Sequence, residues 1–285
     1  MDIRMAQSTL GGEISGNSLS CPGPNHGPED RSLRVTFTAD DMVVHSFSGD
    51  DWKECKDYVR TMLGLSRDWK PDPSKAPPPH DPADEQRKID YALKIWRECK
   101  KPANTIVQAY LESRSIEFPA EVKSIRYHPS LKLGQDHYAA MVCLFRDIHT
   151  NEPCGVHRTF LSPDGKKIER KMLGRAKGAA IKLDDDETVT YGLHIGEGIE
   201  TCLSAREFNL LPSWALCSTS NISKFPVLSG VECINFLTEK DRQGANDKAC
   251  REAGRAWLEA GKEMQIYQPP KGDDWNDYAR IVKNG

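Results

Sequence analysis

YGLHIGEGIETCLSAREFN, residues 191–209, is the stretch whose reading decides the fold. A short apolar run, Leu193, His194 and Ile195, stops at Gly196-Glu197-Gly198. A helical pattern then begins, with Ile199, Cys202, Leu203 and Leu210 recurring at three- and four-residue steps. Glu197 therefore falls where a strand ends and a helix starts, flanked by two glycines that permit a tight turn. Glu200, one helical turn on, shares its face or lies just below it. About forty residues later a second apolar run, Cys233 to Leu237, ends in Glu239-Lys240-Asp241-Arg242-Gln243-Gly244 and enters another helical pattern. Two strand ends that carry carboxylates meet at one edge of a parallel sheet. In open α/β sheets, that carboxyl edge is where ligands bind.

Carboxylates gathered at one edge repel each other unless a cation or a proton is present. Oxygen-only ligands suit Mg²⁺ or Mn²⁺. Either cluster alone is better read as helix N-terminal acids stabilised by the macrodipole. Both together, at successive strand ends, favour the metal. Around them the pattern is α/β: strands at 189–195, 213–217, 232–238 and 263–267 alternate with helices at 199–209, 244–259 and from Asp273 onward. Such alternation through short connections predicts a parallel, doubly wound sheet over 188–285. His194 reads as a packed strand residue.

Upstream, residues 85–187 read as an α+β lobe. Helices are expected at 85–100 and 104–113, strands at 138–145 and 155–161, and loops around His128-Pro129 and Gly134. SPDGKK (162–167) is a turn signal. Between His157 and Lys182 stand eight Lys or Arg against two acids, a local charge of +6 on a chain whose net charge is -3. Basic residues with small spacers suit phosphate contact, which positions a nucleic acid without reading its sequence. The same run, offset by Asp184-Asp185-Asp186-Glu187, also reads as a solvated face.

Residues 66–84 form a linker, with six prolines between Pro71 and Pro82, which favours extended polyproline II. Residues 19–65 make a small module: CPGPNHG, strands LRVTF and MVVHSF, and a helix from Trp52 to Leu63. Cys21 and His26 have metal-ligand character, and two strands followed by a helix suit a small zinc ribbon. Residues 1–18, rich in Gly, Ser and Thr and without periodicity, are expected as a disordered tail. At 285 residues the chain has room for two or three domains. No apolar run reaches membrane-helix length and no signal-peptide core opens the sequence. Nine cysteines read as reduced thiols, and a cytoplasmic location is expected.

GEGIET, followed by an acid-x-acid-x-x-Gly turn after the third strand, resembles the Toprim domain of bacterial-type primases, topoisomerases and some nucleases. The chain is most similar to primase-like Toprim proteins of phages, plasmids and other mobile elements. It resembles them in the GEGIET turn, in HRTFL (157–161) followed by a basic stretch, and in GDDWND (272–277). The resemblance implies an α/β fold: a C-terminal Toprim domain with a Rossmann-like parallel sheet, an α+β lobe and a zinc-ribbon-like N-terminal module. It implies Glu197 as acid/base and Glu239 and Asp241 as the paired catalytic acids. Glu197, Glu239, Asp241 and Asp277 become the Mg²⁺ or Mn²⁺ ligands, with Asp273 and Asp274 as further candidates. It also implies that the lobe guides template DNA, through Arg158 first and then Lys171, Arg175 and Lys177.

Two positions depart from the family pattern. Glu239 stands where the family has Asp, one methylene longer. Ser46 and Asp50 stand where two zinc-binding cysteines are expected, and neutral serine is a poor ligand. Zinc is therefore not expected. An alternative set, Cys21, His26, His45 and Cys55, would need a rearranged loop. The resulting expectation is a metal-dependent nucleotidyltransferase acting on single-stranded DNA and nucleotides, with no membrane partner. No GxxxxGK[ST] run occurs, so unwinding would fall to a separate helicase. A Toprim nuclease and a non-catalytic DNA-binding accessory are the alternatives.

Overall fold

The computed structural model describes residues 3–15, 18–38, 41–66, 69–70, 82–240 and 244–284. The chain divides into two compact units, Met1–Asp81 and Pro82–Gly285. Most of the proline-rich linker, including 71–81, lies outside the described residues.

The first unit starts with helix α1 (Ile3–Leu10), followed by strands β1 (Glu13–Ser15), β2 (Ser18–Cys21), β3 (Leu33–Phe37) and β4 (Met42–Ser46) and by helix α2 (Trp52–Met62). The four strands form one antiparallel sheet in chain order. Residues 3–15 are thus a helix and a strand, where a tail was expected. Ala6 and Leu10 are buried with Leu19, Leu33, Val35, Met42 and Val59. Two anchors in one short helix leave too little periodicity to read. Asp51 starts α2 by accepting the N–H groups of Lys53 and Glu54 at 2.8 and 3.2 Å, the role of an N-cap.

The second unit opens with helices α3 (Pro82–Glu98) and α4 (Ile106–Ser113). Five strands follow: β5 (Ile125–Leu133), β6 (Asp136–Asp147), β7 (Pro153–Leu161), β8 (Lys167–Gly174) and β9 (Ala179–Lys182). Then come β10 (Gly192–Gly196), α5 (Ile199–Arg206), β11 (Ser213–Ala215), α6 (Thr219–Ser223), β12 (Cys233–Leu237), α7 (Ala245–Glu259), β13 (Glu263–Tyr267) and α8 (Trp275–Asn284). All nine strands belong to one mixed sheet, in the order β13-β12-β10-β11-β9-β6-β7-β8, with β5 also on β6. The parallel α/β sheet foreseen from sequence is its four-strand part, β13-β12-β10-β11. Beyond it, β9 runs antiparallel to both β11 and β6 and joins the lobe to that sheet.

One stretch expected as a loop is a strand, and the basic stretch is strand as well. The segment around His128-Pro129 is β5, whose register shifts between His128 and Leu131. A bulge accommodates the proline that cannot donate to the ladder. The basic stretch holds β8, whose charges fall on both faces and give no apolar alternation, and the short buried β9. His194 is packed as expected: it is buried and its ring meets Tyr267 edge-on.

Candidate active site

The acid edge is built by β10, α5 and β12. Glu197 follows β10 and Glu239 follows Thr238 at the end of β12. Buried Asn246, in the first turn of α7, joins them. Its amide donates to Glu197 Oε2 and its carbonyl oxygen accepts the Glu239 N–H, both at 3.3 Å. Glu239 then reaches back to the start of α5. Its Oε1 accepts the Thr201 hydroxyl at 2.7 Å and the Gly198 N–H at 3.3 Å. A carboxylate from another strand thus caps a helix whose own N-cap, Gly198, offers no side chain, as the helix dipole favours. The two glycines give room here; no unusual φ is needed. Gly198 has φ −80°, and a Cβ on it would stand 2.8 Å from Thr201 Oγ1 and 3.1 Å from Glu239 Oε1.

Burial pushes the Glu239 carboxyl above its ordinary range. The Thr201 hydroxyl opposes that shift, and the charges of Glu197 and Asp274 add to it. Glu200, the other acid of GEGIET, turns inward and is buried. Tyr110 on α4 donates to its Oε1 at 2.5 Å. Burial alone would raise its pKa, but the Tyr110 bond, its own backbone N–H, Arg170 and His157 hold it below the ordinary range.

The facing wall comes from β7 and β8, and strand parity decides which side chains reach it. His157 pairs with Met172 and Thr159 with Arg170, so these four share one face. His157, Arg170 and Met172 line, with Glu197, Gly198, Ile199, Glu200, Cys217 and Glu239, a cleft of about 310 Å³. His157 is 5 % exposed and its Nδ1 has no hydrogen-bond partner among the described residues. Burial holds its pKa down to about 4, so the ring is neutral at pH 7. Arg170 is exposed and makes no ion pair among the described residues.

Arg158 and Lys171 pair with each other and occupy the opposite face of the same ribbon. There Arg158 lies over the Phe160 ring, 5.7 Å from its centroid, and donates to the Met172 carbonyl. Phe160 belongs to the core that packs α3 on the sheet. Arg158 is therefore not brought to the acids. Arg175 pairs with Asp147 at 2.9 Å, and Lys177 is exposed.

Asp241 lies outside the described residues. Asp274 caps α8, accepting the Asp277 N–H at 2.7 Å, while Asp277 accepts the Asp273 N–H at 3.5 Å. Asp274 is the acid of this run whose charge is felt at Glu239. Lys240 donates through Nζ to the Gly272 carbonyl at 2.9 Å, tying the second acid turn to the GDDWND loop. Among the described residues, no group of three or more His, Cys, Asp or Glu is gathered closely enough to hold a metal ion. The donor chemistry nevertheless fits a hard divalent cation. The candidate donor atoms are oxygens, and burial, with the added charges of Glu197 and Asp274, lifts Glu239, a cost that a cation would relieve.

Tyr110, Thr201, Asn246 and Arg170 were not singled out from sequence. Counting alternate residues from Phe160 would have turned His157 to the other face, whereas nothing local ties Tyr110 to Glu200.

In the first unit, the positions expected for zinc hold a hydrogen-bonded cluster. His26 contacts Asp30 through Nδ1 at 3.0 Å and Asp50 through Nε2 at 3.3 Å. Ser46 and Ser48 both donate to Asp50 Oδ2, at 2.7 and 3.0 Å. Cys21 and Cys55 are buried in the apolar core, and His45 is exposed on the outer face of β4 against Phe47. These four side chains do not form one site.

Residues 192–283 match the family description of a Toprim domain. Residues 86–183 match a domain of unknown function, DUF7146. A search of curated proteins finds no match. Among solved structures, the chain is similar to the DnaG catalytic core at 13% identity and TM-score 0.50, over 69% of this chain and 75% of that one. It is similar to the primase fragment of the bacteriophage T7 primase-helicase protein at 15% identity and TM-score 0.46, over 92% and 96%. A DnaG primase catalytic domain bound to single-stranded DNA matches at 12% identity and TM-score 0.48, over 70% and 78%. The C-terminal part of the chain is a Toprim domain, and the likeness to the primase core is one of fold. No helix among the described residues is long and apolar enough to cross a membrane.

Proposed function

We propose that the chain is a primase-like nucleotidyltransferase that joins nucleotides on single-stranded DNA during replication of a mobile element, in the cytoplasm and beside a separate helicase. One observation carries this reading. In a single cleft, carboxylates from two strand ends stand opposite an arginine and a buried neutral histidine.

Glu197 and Glu239, with Asp241 and Asp277 as further candidates, would hold Mg²⁺ or Mn²⁺. When bound, the cation neutralises charge on the attacked phosphate and orients the attacking hydroxyl. Glu197, half-buried and held by the Asn246 amide, accepts the proton of that hydroxyl as the hydroxyl bonds to the α-phosphate of a nucleoside triphosphate and the α–β phosphoanhydride bond breaks to release pyrophosphate. Arg170, exposed on the facing wall, holds phosphate oxygens of the incoming nucleotide. His157 contributes a neutral ring nitrogen that can hydrogen-bond the substrate without adding charge. Arg158 and Lys171, on the other face of the ribbon, with Lys177 and to a lesser degree Arg175, hold the template backbone.

The test is incorporation of labelled nucleotides on single-stranded DNA with Mg²⁺ or Mn²⁺, with Glu197→Gln and Asp241→Ala run alongside. Products longer than one nucleotide, lost in both variants, support the proposal. A shortened template would assign the acids to a nuclease. Tight, salt-sensitive DNA binding with neither product nor cleavage would leave an accessory protein.

A further inference from the structure

Glu239 is one methylene longer than the aspartate the resemblance leads one to expect, and the extra reach has a use in the structure. Its Oε1 is engaged twice at the start of α5, by the Thr201 hydroxyl at 2.7 Å and the Gly198 N–H at 3.3 Å. Its Oε2 accepts no hydrogen bond among the described residues. Thr201 is 2 % exposed, so its hydroxyl is committed to this contact and is not competing with solvent. The space is built for the same contact, because any side chain at Gly198 would meet Thr201 and Glu239 Oε1. From the other side Asn246 fixes the Glu239 backbone and the Glu197 carboxylate together. A shorter aspartate on the same backbone would fall roughly 1.5 Å short, one carbon–carbon bond. That would take the 2.7 Å contact out of hydrogen-bond range.

We propose that Thr201 is the positioning residue of the cation site: its hydroxyl pins one oxygen of Glu239 to the first turn of α5 and leaves the other oxygen free to bind the cation. Glu239 and Thr201 then act as a unit across the sheet, and the longer acid belongs to this site's design. The inference rests on the cation-binding reading of Glu197 and Glu239, and it adds a residue that touches neither cation nor substrate. It also says how the site is occupied. Glu239 binds through one oxygen, because the other remains committed to α5.

The experiment is a Mn²⁺ titration of the full-length protein, with free Mn²⁺ followed by its electron paramagnetic resonance signal and without nucleotide or DNA. Thr201→Val keeps the shape and removes the hydroxyl; Thr201→Ser keeps the hydroxyl; Glu239→Asp keeps the charge and removes the reach. Thr201→Val is expected to weaken Mn²⁺ binding about tenfold, the effect of one hydrogen bond to a charged group. Thr201→Ser should bind as the wild type does. Glu239→Asp should weaken binding by itself, and adding Thr201→Val to it should change nothing further, the signature of two residues in one contact. Hydrogen exchange across α5 tells a lost contact from a lost fold, and Thr201→Ser controls for packing. Unchanged affinity in Thr201→Val, or losses that add in the double variant, would overturn the proposal while the cation reading stands. Absence of any saturable Mn²⁺ binding by the wild type would overturn both.

Discussion

Both units gather acidic side chains around a histidine, and the two clusters are opposites in physical state. In the first unit, each member of the cluster is stabilised in its charged form. The bond to Asp30 raises the pKa of His26. The Ser32 hydroxyl holds Asp30 down to about 2, and the Ser46 hydroxyl holds Asp50 below its ordinary value. Every charge there has its partner inside the protein. In the cleft the directions reverse at two groups, while Glu200 is held low by the Tyr110 hydroxyl. Burial and neighbouring carboxylates push Glu239 up, and burial pushes His157 down to about 4 with Nδ1 unpartnered among the described residues. A cluster whose needs are met internally holds a fold together. One left with a raised acid and an orphaned nitrogen is a candidate for binding a partner.

The largest effect should come from breaking the frustrated cluster at its acid. Glu197→Gln keeps the shape and the Asn246 contact but cannot take a proton. Nucleotide incorporation should fall about 10²- to 10⁴-fold, the scale of a lost general base. Asp50→Asn in the first unit should leave incorporation unchanged. An equal fall in incorporation from Asp50→Asn would erase the distinction between the clusters.

His157 supplies the next effect, in stability. The unfolded imidazole titrates at its ordinary 6.5 and the folded one at about 4. Between those values the unfolded chain takes up the proton more readily. The contribution of neutral His157 is therefore complete above pH 6.5 and is lost as the pH falls toward 4. A gap of this size is worth about 3 kcal/mol. Glu200, Arg170, Arg158 and Lys167 supply the charge around this ring and stay in place in His157→Gln. That variant should flatten the acid limb of unfolding free energy, read by urea denaturation at pH 7.5 and 4.5. An unchanged limb would mean that the histidine is not buried neutral.

A smaller, separable effect sharpens the two faces of the β7–β8 ribbon. Arg170→Ala should raise the nucleotide KM about tenfold, the loss of one charge-assisted contact, and leave DNA affinity nearly unchanged. Arg158→Ala with Lys171→Ala should do the reverse, and should lower the salt dependence of DNA binding by about two ions. If both variants moved the same constant, strand parity would not be separating the two roles.

These arginines also mark how far the sequence could be read. The turn after β10 was legible, as was the strand that ends before Glu239, because a strand that ends in Gly-Glu-Gly before a helical period leaves few alternatives. So were the four parallel strands, of which β12 is a nearly continuous apolar run and β13 alternates polar and apolar residues. The lobe was harder. β8 carries its charges on both faces, so no alternation announces a strand, and a count of charge cannot say which face an arginine occupies. Arg158 looked central and stands behind the sheet; Arg170, one of eight basic residues in the count, lines the cleft. The links that complete the site are non-local: Tyr110 lies 90 residues from Glu200 and Thr201 lies 38 from Glu239. No period or motif encodes such a pair. At residues 3–15 the difficulty was different, because one short helix buries only two side chains.

The smallest effect tests the satisfied cluster and turns on a difference of sign. The pKa of His26 is raised on folding, chiefly by the Asp30 hydrogen bond, which with Asp50 outweighs the opposing effect of burial. Protonated His26 therefore stabilises the first unit fully below its unfolded value of 6.5, and the contribution disappears as the pH rises through the folded value. This is the reverse of His157. His26→Gln should thus leave hydrogen exchange in β7 unchanged, while it speeds exchange in β3, β4 and α2 more at pH 6 than at pH 8. The cluster is partly open to solvent, so the change will be modest, and its direction carries the information. If protection in the first unit instead grew less sensitive to His26 as the pH fell, the ring would be neutral in the folded state. The two clusters would then be of one kind, and the first unit would join the cleft as a candidate binding site.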